Sequence, residues 1–159
     1  RTARIEIRQP WQSGTWSGVI DGTPTSVGRD GLADTFARFA VNLVGAPPLT
    51  GKDYSQYRSA AVIETIIGAA LGVQIPTGEY LEDKLINLGD NRFNFRPQAG
   101  IVHNRGKWSI ELTTAAWLFT DNDEFFNGNH LEQDPLYTAD GHLIGNPATR
   151  SGARCCRRR

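Results

Sequence analysis

The residues able to do chemistry are few. Asp121, Asp123 and Glu124, with Asn122 among them, gather hard oxygen donors of the kind calcium prefers. They lack the spacing and the closing bidentate glutamate of an EF-hand loop, so the cluster reads as a solvated acidic loop. His103, His130 and His142 share no metal-ligand spacing and read as polar surface or lumen residues. Glu64 and Glu111 have the residue type for paired acid–base work, but ion pairing with Arg38 and Arg96 accounts for them more simply. No serine or cysteine stands in an arrangement with histidine that suggests a nucleophile, and Gly45, Gly51 and Gly78 sit in turns without a phosphate-loop pattern. Cys155 and Cys156 are adjacent, which is poor geometry for a disulfide between them. The expectation is no enzyme, no metal and no cofactor.

The elements that carry these residues say more than the residues themselves. Over residues 60–75 (AAVIETIIGAALGVQI) alternate positions sort into two sets. Ile63, Ile67, Leu71, Val73 and Ile75 belong to an apolar set; Glu64, Gly68, Ala70, Gly72 and Gln74 belong to a small or polar one. A period of two puts the sets on opposite faces of a strand. A strand crossing a bilayer at a tilt needs about 9–11 residues, whereas a soluble strand is commonly about 5–6. A spanning helix would need about 20 apolar residues, and this run stops at Pro76 with Glu64 inside it.

The same sorting recurs at residues 3–8, 34–43, 93–103, 108–120 and, more weakly, 136–144. Charges inside these segments fall on the polar set, with His103 taken as lying at a strand end. A charge facing lipid at mid-bilayer costs about 2–4 kcal/mol, so one-sidedness is what a membrane barrel requires. The fold expected over residues 1–144 is therefore all-β, an antiparallel up-and-down meander of about six strands that forms part of a transmembrane β-barrel. Its lipid face would carry Ile63, Ile67, Leu71, Val73, Ile110 and Leu112. Its pore lining would be Arg38, Glu64, Gln74, Asn94, Arg96, Gln98, Glu111 and Trp117. A soluble β-barrel that binds a small molecule, with the apolar face inward, is the alternative, because alternation alone does not say which face points in.

Residues 104–107 (NRGK) read as a tight hairpin turn. Placing that turn on the periplasmic side makes residues 76–92 and 120–135 outer loops, and puts residues 44–59, with a helical turn at YSQYR, on the inner side. Trp11, Trp16, Phe93, Phe95, Trp108, Phe125, Phe126 and Tyr137 are expected near strand ends, where aromatic girdles lie. The chain has no net charge and offers no sign of nucleic-acid binding. It lacks an initiator methionine and a signal peptide, as expected of a mature or internal piece. Residues 145–159 (GNPATRSGARCCRRR) read as a disordered tail whose abrupt change of character suggests out-of-frame sequence.

Residues 28–144 resemble the "meta-pathway of phenol degradation" outer-membrane family of β-barrel transporters. The likeness rests on VNLVGAPPL with KDYSQYR, on QIPTGEYLEDKLINLGDNRFNFRPQAG, and on ELTTAAWLFTDNDEFFNGNHLEQDPLYTADGHLI. It implies a bacterial outer-membrane location and a link to aromatic-compound catabolism. The function expected is passive uptake of small hydrophobic or aromatic solutes, with outer-membrane lipid as the surrounding partner. Members of that family continue through further strands where this chain reads GNPATRSG, so the chain is expected to be a truncated fragment. Its open strand edges would then invite self-association.

Overall fold

The alternation is realised as strands throughout the computed structural model, which describes residues 2–45, 47–60 and 63–145. In chain order the elements are β1 (Ala3–Arg8), β2 (Trp11–Ile20), β3 (Thr23–Leu32), β4 (Thr35–Val44), α1 (Gly51–Ala60), β5 (Ile63–Ile75), β6 (Asn94–Arg105), β7 (Trp108–Phe119), β8 (Asn122–Phe125), β9 (Asn129–Leu131) and β10 (Leu136–Gly145). Six of them build one antiparallel sheet in the order β1-β4-β5-β6-β7-β10, an up-and-down meander whose connections after β1, β5 and β7 lie at one end. At the other end lie the short β6–β7 turn, where Gly106 takes a positive φ of 57°, and the connection that carries α1. The helical turn expected at YSQYR is part of this longer helix. Apart from Gly145, the last residue of β10, the expected tail lies outside the described residues.

Register keeps the two residue sets apart across the sheet. One row runs Glu6, Arg38, Gly72, Arg96 on adjacent strands, and the next runs Arg4, Ala40, Ala70, Gln98, Ala115, Thr138. Between them, on the opposite face, runs Ile5, Phe39, Leu71, Pro97. A slip of one residue on any strand would push a charge onto the apolar face, so the pairing is specified at every strand.

Exposure decides which face points outward. Ile5, Phe39, Leu71, Leu112 and Leu143 are 74%, 50%, 46%, 52% and 68% exposed. Among the described residues the buried apolar side chains are only Ala33, Leu88 and Ala115, while Asp34, Glu64, Arg92, Asn94, Ser109 and Asn122 are buried. A water-soluble sheet buries its large apolar side chains and leaves its charges wet; here the order is inverted. Soluble monomers rarely expose a contiguous apolar face of this kind. The soluble alternative fails on this point. No helix among the described residues is long and apolar enough to cross a membrane, and the strands of 10–13 residues from β4 to β7 are long enough to do so.

Two parts of the fold differ from expectation. Residues 11–32, outside the alternating segments, form a second two-stranded sheet, β2–β3. Its turn is Asp21–Gly22, both at positive φ (49° and 79°), which is the backbone a two-residue hairpin turn needs. Trp11 and Trp16 therefore belong to this hairpin and not to a girdle at the sheet's edge, and Phe125 and Phe126 belong to the β8–β9 hairpin and its turn. Phe95, Trp108 and Tyr137 do sit near strand ends on the outward face, and Phe93 stacks on Phe95 with ring centroids 6.2 Å apart. The second difference is at Pro97, which has no N–H to give. The β6–β7 ladder is unregistered at Arg96 and Pro97, and resumes at Gln98.

Candidate functional site

All eight residues expected to line a pore lie on the face opposite the apolar one, because each falls on the polar parity of its strand. Two cavities occupy that face. The one of about 470 Å³ towards the turn end has a floor of small residues, with Gly68, Ala70 and Gly100 beneath Arg38 and Gln98. The other, of about 790 Å³, lies under the long loops and takes in Phe36, Arg38, Gln74, Arg96, Gln98 and Trp117. Asn94 is buried at its edge, and its amide donates to Asp90 at 2.9 Å.

The structure does not bring Glu64 and Glu111 to Arg38 and Arg96. Glu64 pairs in register with Asn104, whose amide reaches it at 3.3 Å, whereas Arg96 is in register with Gly72. Eight residues along a strand separate those rows by roughly 26 Å at about 3.3 Å per residue. Glu111 lies opposite Val102, also towards the turn end. Arg38 instead donates from Nε to Gln98 Oε1 at 3.2 Å, and the Arg96 guanidinium stands 4.7 Å over the Trp117 ring. Arg8 stands likewise 5.6 Å over Phe36. A Cβ at Gly72 would come within 2.7 Å of Phe36 Cζ, so the missing side chain there is what lets the Phe36 ring lie across β5 towards Arg96.

The loop end of the polar face is covered by a segment without regular structure, residues 76–92, tied down by three buried or partly buried side chains. Asp34, between β3 and β4, accepts from the backbone N–H of Gly78 and of Asp90, each at 2.9 Å, and from Gln74 Nε2 at 3.0 Å. The loop must come close to do this. A Cβ on Gly78 or Gly89 would meet Asp34 Oδ1 at 2.7 Å and backbone atoms at 2.8 and 3.0 Å. Asn87 closes the loop on itself, accepting from Leu81 N–H at 2.8 Å and donating to the carbonyls of Leu81 and Lys84. Asn122, 2% exposed, joins this loop to the next. It donates to Tyr80 OH at 3.0 Å and to the Asp90 carbonyl at 3.2 Å, and accepts from Glu124 N–H at 3.0 Å. Arg29 of β3 holds the other flank by donating to the Ile86 carbonyl at 3.2 Å. Arg92 lies 4.8 Å over Phe119 and bonds Gln133.

The acidic cluster is thus a structural junction, with Asn122 inward and Asp121, Asp123 and Glu124 exposed. No group of three acidic, histidine or cysteine ligands comes together among the described residues. Asp123 bonds His130 Nδ1 at 2.7 Å across the β8–β9 hairpin. That hydrogen bond holds the His130 pKa above its ordinary value, with the charges of Asp121 and Glu132 adding to it. A raised folded-state pKa stabilises the hairpin below the ordinary histidine pKa, and the contribution is lost as pH rises through the folded value. Asp123→Asn should bring the His130 titration back towards the ordinary value in an NMR titration; an unchanged midpoint would exclude the pairing. His103, expected on the surface or in the lumen, lies on the outward apolar face, where Thr65 Oγ1 meets its Nδ1 at 2.9 Å.

A family model described as "Putative MetA-pathway of phenol degradation" matches residues 8–149. The chain belongs to that family. Among solved structures it is similar to the crystal structure of the COG4313 outer membrane channel from Pseudomonas putida F1, with 27% sequence identity and a TM-score of 0.57. The match covers 91% of this chain and 50% of that one, so the chain spans about half the length of the solved channel. No curated protein matches it significantly. In this family member the functional residues that sequence reasoning missed are Asp34, Phe36, Asn87 and Asn122. Asp21–Gly22 is a strong hairpin signal and would have revealed β2–β3; the anchoring roles of Asp34 and Asn122 depend on contacts between residues 31–56 positions apart, for which no local signal exists.

Proposed function

We infer that the chain forms wall and mouth of an outer-membrane channel that passes small hydrophobic or aromatic solutes passively down their gradients. The observation that carries this reading is the inversion of the sheet, with large apolar side chains exposed on one face and charged or small ones around cavities on the other. The family membership and the likeness to a solved outer-membrane channel support it. The lining would be Arg38, Gln74, Asn94, Arg96, Gln98 and Trp117 near the mouth, with Glu64 and Glu111 towards the inner end. Residues 76–92, docked on Asp34, would set the width of the entrance.

Among the described residues β1 and β10 each pair on one side only. Open edges are not tolerated in hydrocarbon, since each unsatisfied backbone group costs several kcal/mol there. The wall is therefore completed by further strands or by a second copy. In planar bilayers, a closed barrel containing residues 1–159 is expected to give stable single channels, while residues 1–159 alone give them only if copies assemble. Absence of conductance from the closed barrel would overturn the channel reading.

A further inference from the structure

Three arginines line the mouth cavity, Arg8, Arg38 and Arg96; Glu6, opposite Arg38 in register, is ion-paired to Arg4 and Arg8 and so answers three guanidiniums with one carboxylate. Among the described residues no carboxylate lies within ion-pair distance of Arg38 or Arg96. Arg38 donates from Nε to Gln98 Oε1 and lines the cavity beside it. The Arg96 guanidinium stands 4.7 Å over the Trp117 ring, and its Nε is buried with no protein acceptor. A guanidinium stacked on an aromatic ring keeps its donors in the ring plane, pointing outward at its edge, which suits a carboxylate approaching in that plane.

The carboxylates that share the cavity are occupied elsewhere. Asp34 accepts from two backbone N–H groups and Gln74, and Asp90 accepts from Gln74 and Asn94. The row Phe36, Gln74, Asn94, Phe119 stands between them and the arginine row. Beside the arginines are two aromatic surfaces, Phe36 lying across Gly72 and Trp117 beneath Arg96. A neutral solute offers the two guanidiniums no opposite charge, and a cation is repelled by them.

We propose that the mouth cavity is a binding site for aromatic carboxylates, with Arg38 and Arg96 taking the carboxylate and Phe36 and Trp117 taking the ring. This rests on the reading of the polar face as the solute path and narrows the solute to an anionic arene. Charge-assisted bidentate contacts make the carboxylate the dominant handle, and the ring adds a preference over an aliphatic acid.

Fluorine NMR of the detergent-solubilised full chain can test it with 4-fluorobenzoate and the neutral 4-fluorobenzyl alcohol, and with hexanoate as competitor. The benzoate should bind about tenfold or more tightly than the alcohol, as a charged hydrogen bond is worth roughly that factor. Hexanoate should compete weakly. Arg38→Gln and Arg96→Gln should each remove most of the preference, and Arg96→Lys should restore part of it. Trp117→Leu should weaken both fluorinated probes. Arg105→Gln, on the outward face at the turn, should change nothing. Equal binding of acid and alcohol, or a preference that survives both glutamine variants with strand content intact by circular dichroism, would overturn the proposal. Conductance without any arginine-dependent preference leaves the channel standing and removes this site. Arginine-dependent benzoate binding with no conductance from the closed barrel supports this site and removes the channel.

Discussion

Leu71→Arg is expected to abolish membrane insertion, while Ala70→Arg, one residue away, is expected to leave it nearly intact. Leu71 lies mid-way along β5 on the outward face, flanked by Phe39 and Pro97, and is 46% exposed. If that face meets lipid, a charge there costs about 2–4 kcal/mol, a factor of roughly 30 to 1,000 in the folding equilibrium. Ala70 lies on the polar face between Ala40 and Gln98, over a cavity that can take a longer side chain. Gly72 is a poorer comparison, because any side chain there collides with Phe36. The measurement is folding into lipid vesicles, read by heat-modifiable mobility on gels and by urea titration. Equal losses for the two arginines would mean that the faces are not lipid and lumen.

Asp34→Ala is expected to free residues 76–92 from the mouth without unfolding the sheet. The carboxylate is 6% exposed and is the acceptor for the N–H groups of Gly78 and Asp90. Each donor left without a partner costs about 1–3 kcal/mol, so losing both outweighs the other single bonds that hold this loop. Asp34→Asn keeps one acceptor oxygen and should be intermediate. Hydrogen exchange should show protection falling in residues 76–92 and holding in β4 to β7, with conductance of the closed barrel rising as the mouth widens. Protection unchanged in the alanine variant would show that the loop stands without this anchor, and that Asn87 and Asn122 suffice.

Period-two alternation was legible because it is local: each strand carries its own apolar and polar sets, and the shared face of the eight expected lining residues follows from parity alone. The antiparallel meander was legible too, from a tight turn at NRGK and from segment lengths suited to a bilayer. Asp21–Gly22 was equally local and was overlooked because residues 11–32 show weak alternation, with Gly and Ser on both faces of β2 and β3.

Which of the eight residues meet was another matter. Parity says that Glu64 and Arg96 share a face, but the stagger of β5 against β6 leaves them roughly 26 Å apart, at about 3.3 Å per residue over eight residues. The partners of Arg38 and Arg96 are Gln98 and Trp117, chosen by register and by the space that Gly72 leaves. The mouth depended wholly on the assembled structure. Residues 76–92 have no periodicity, and their shape comes from Asp34 and Asn122, far along the chain, offering buried oxygens to backbone donors that would otherwise go unpaired. By itself the sequence determined which residues of each strand share a face, since a period of two sorts them within the strand whatever it pairs with. Only the tertiary structure decided which charges are paired and where the loops close, because those energies exist only between residues that strand register and loop closure bring into contact.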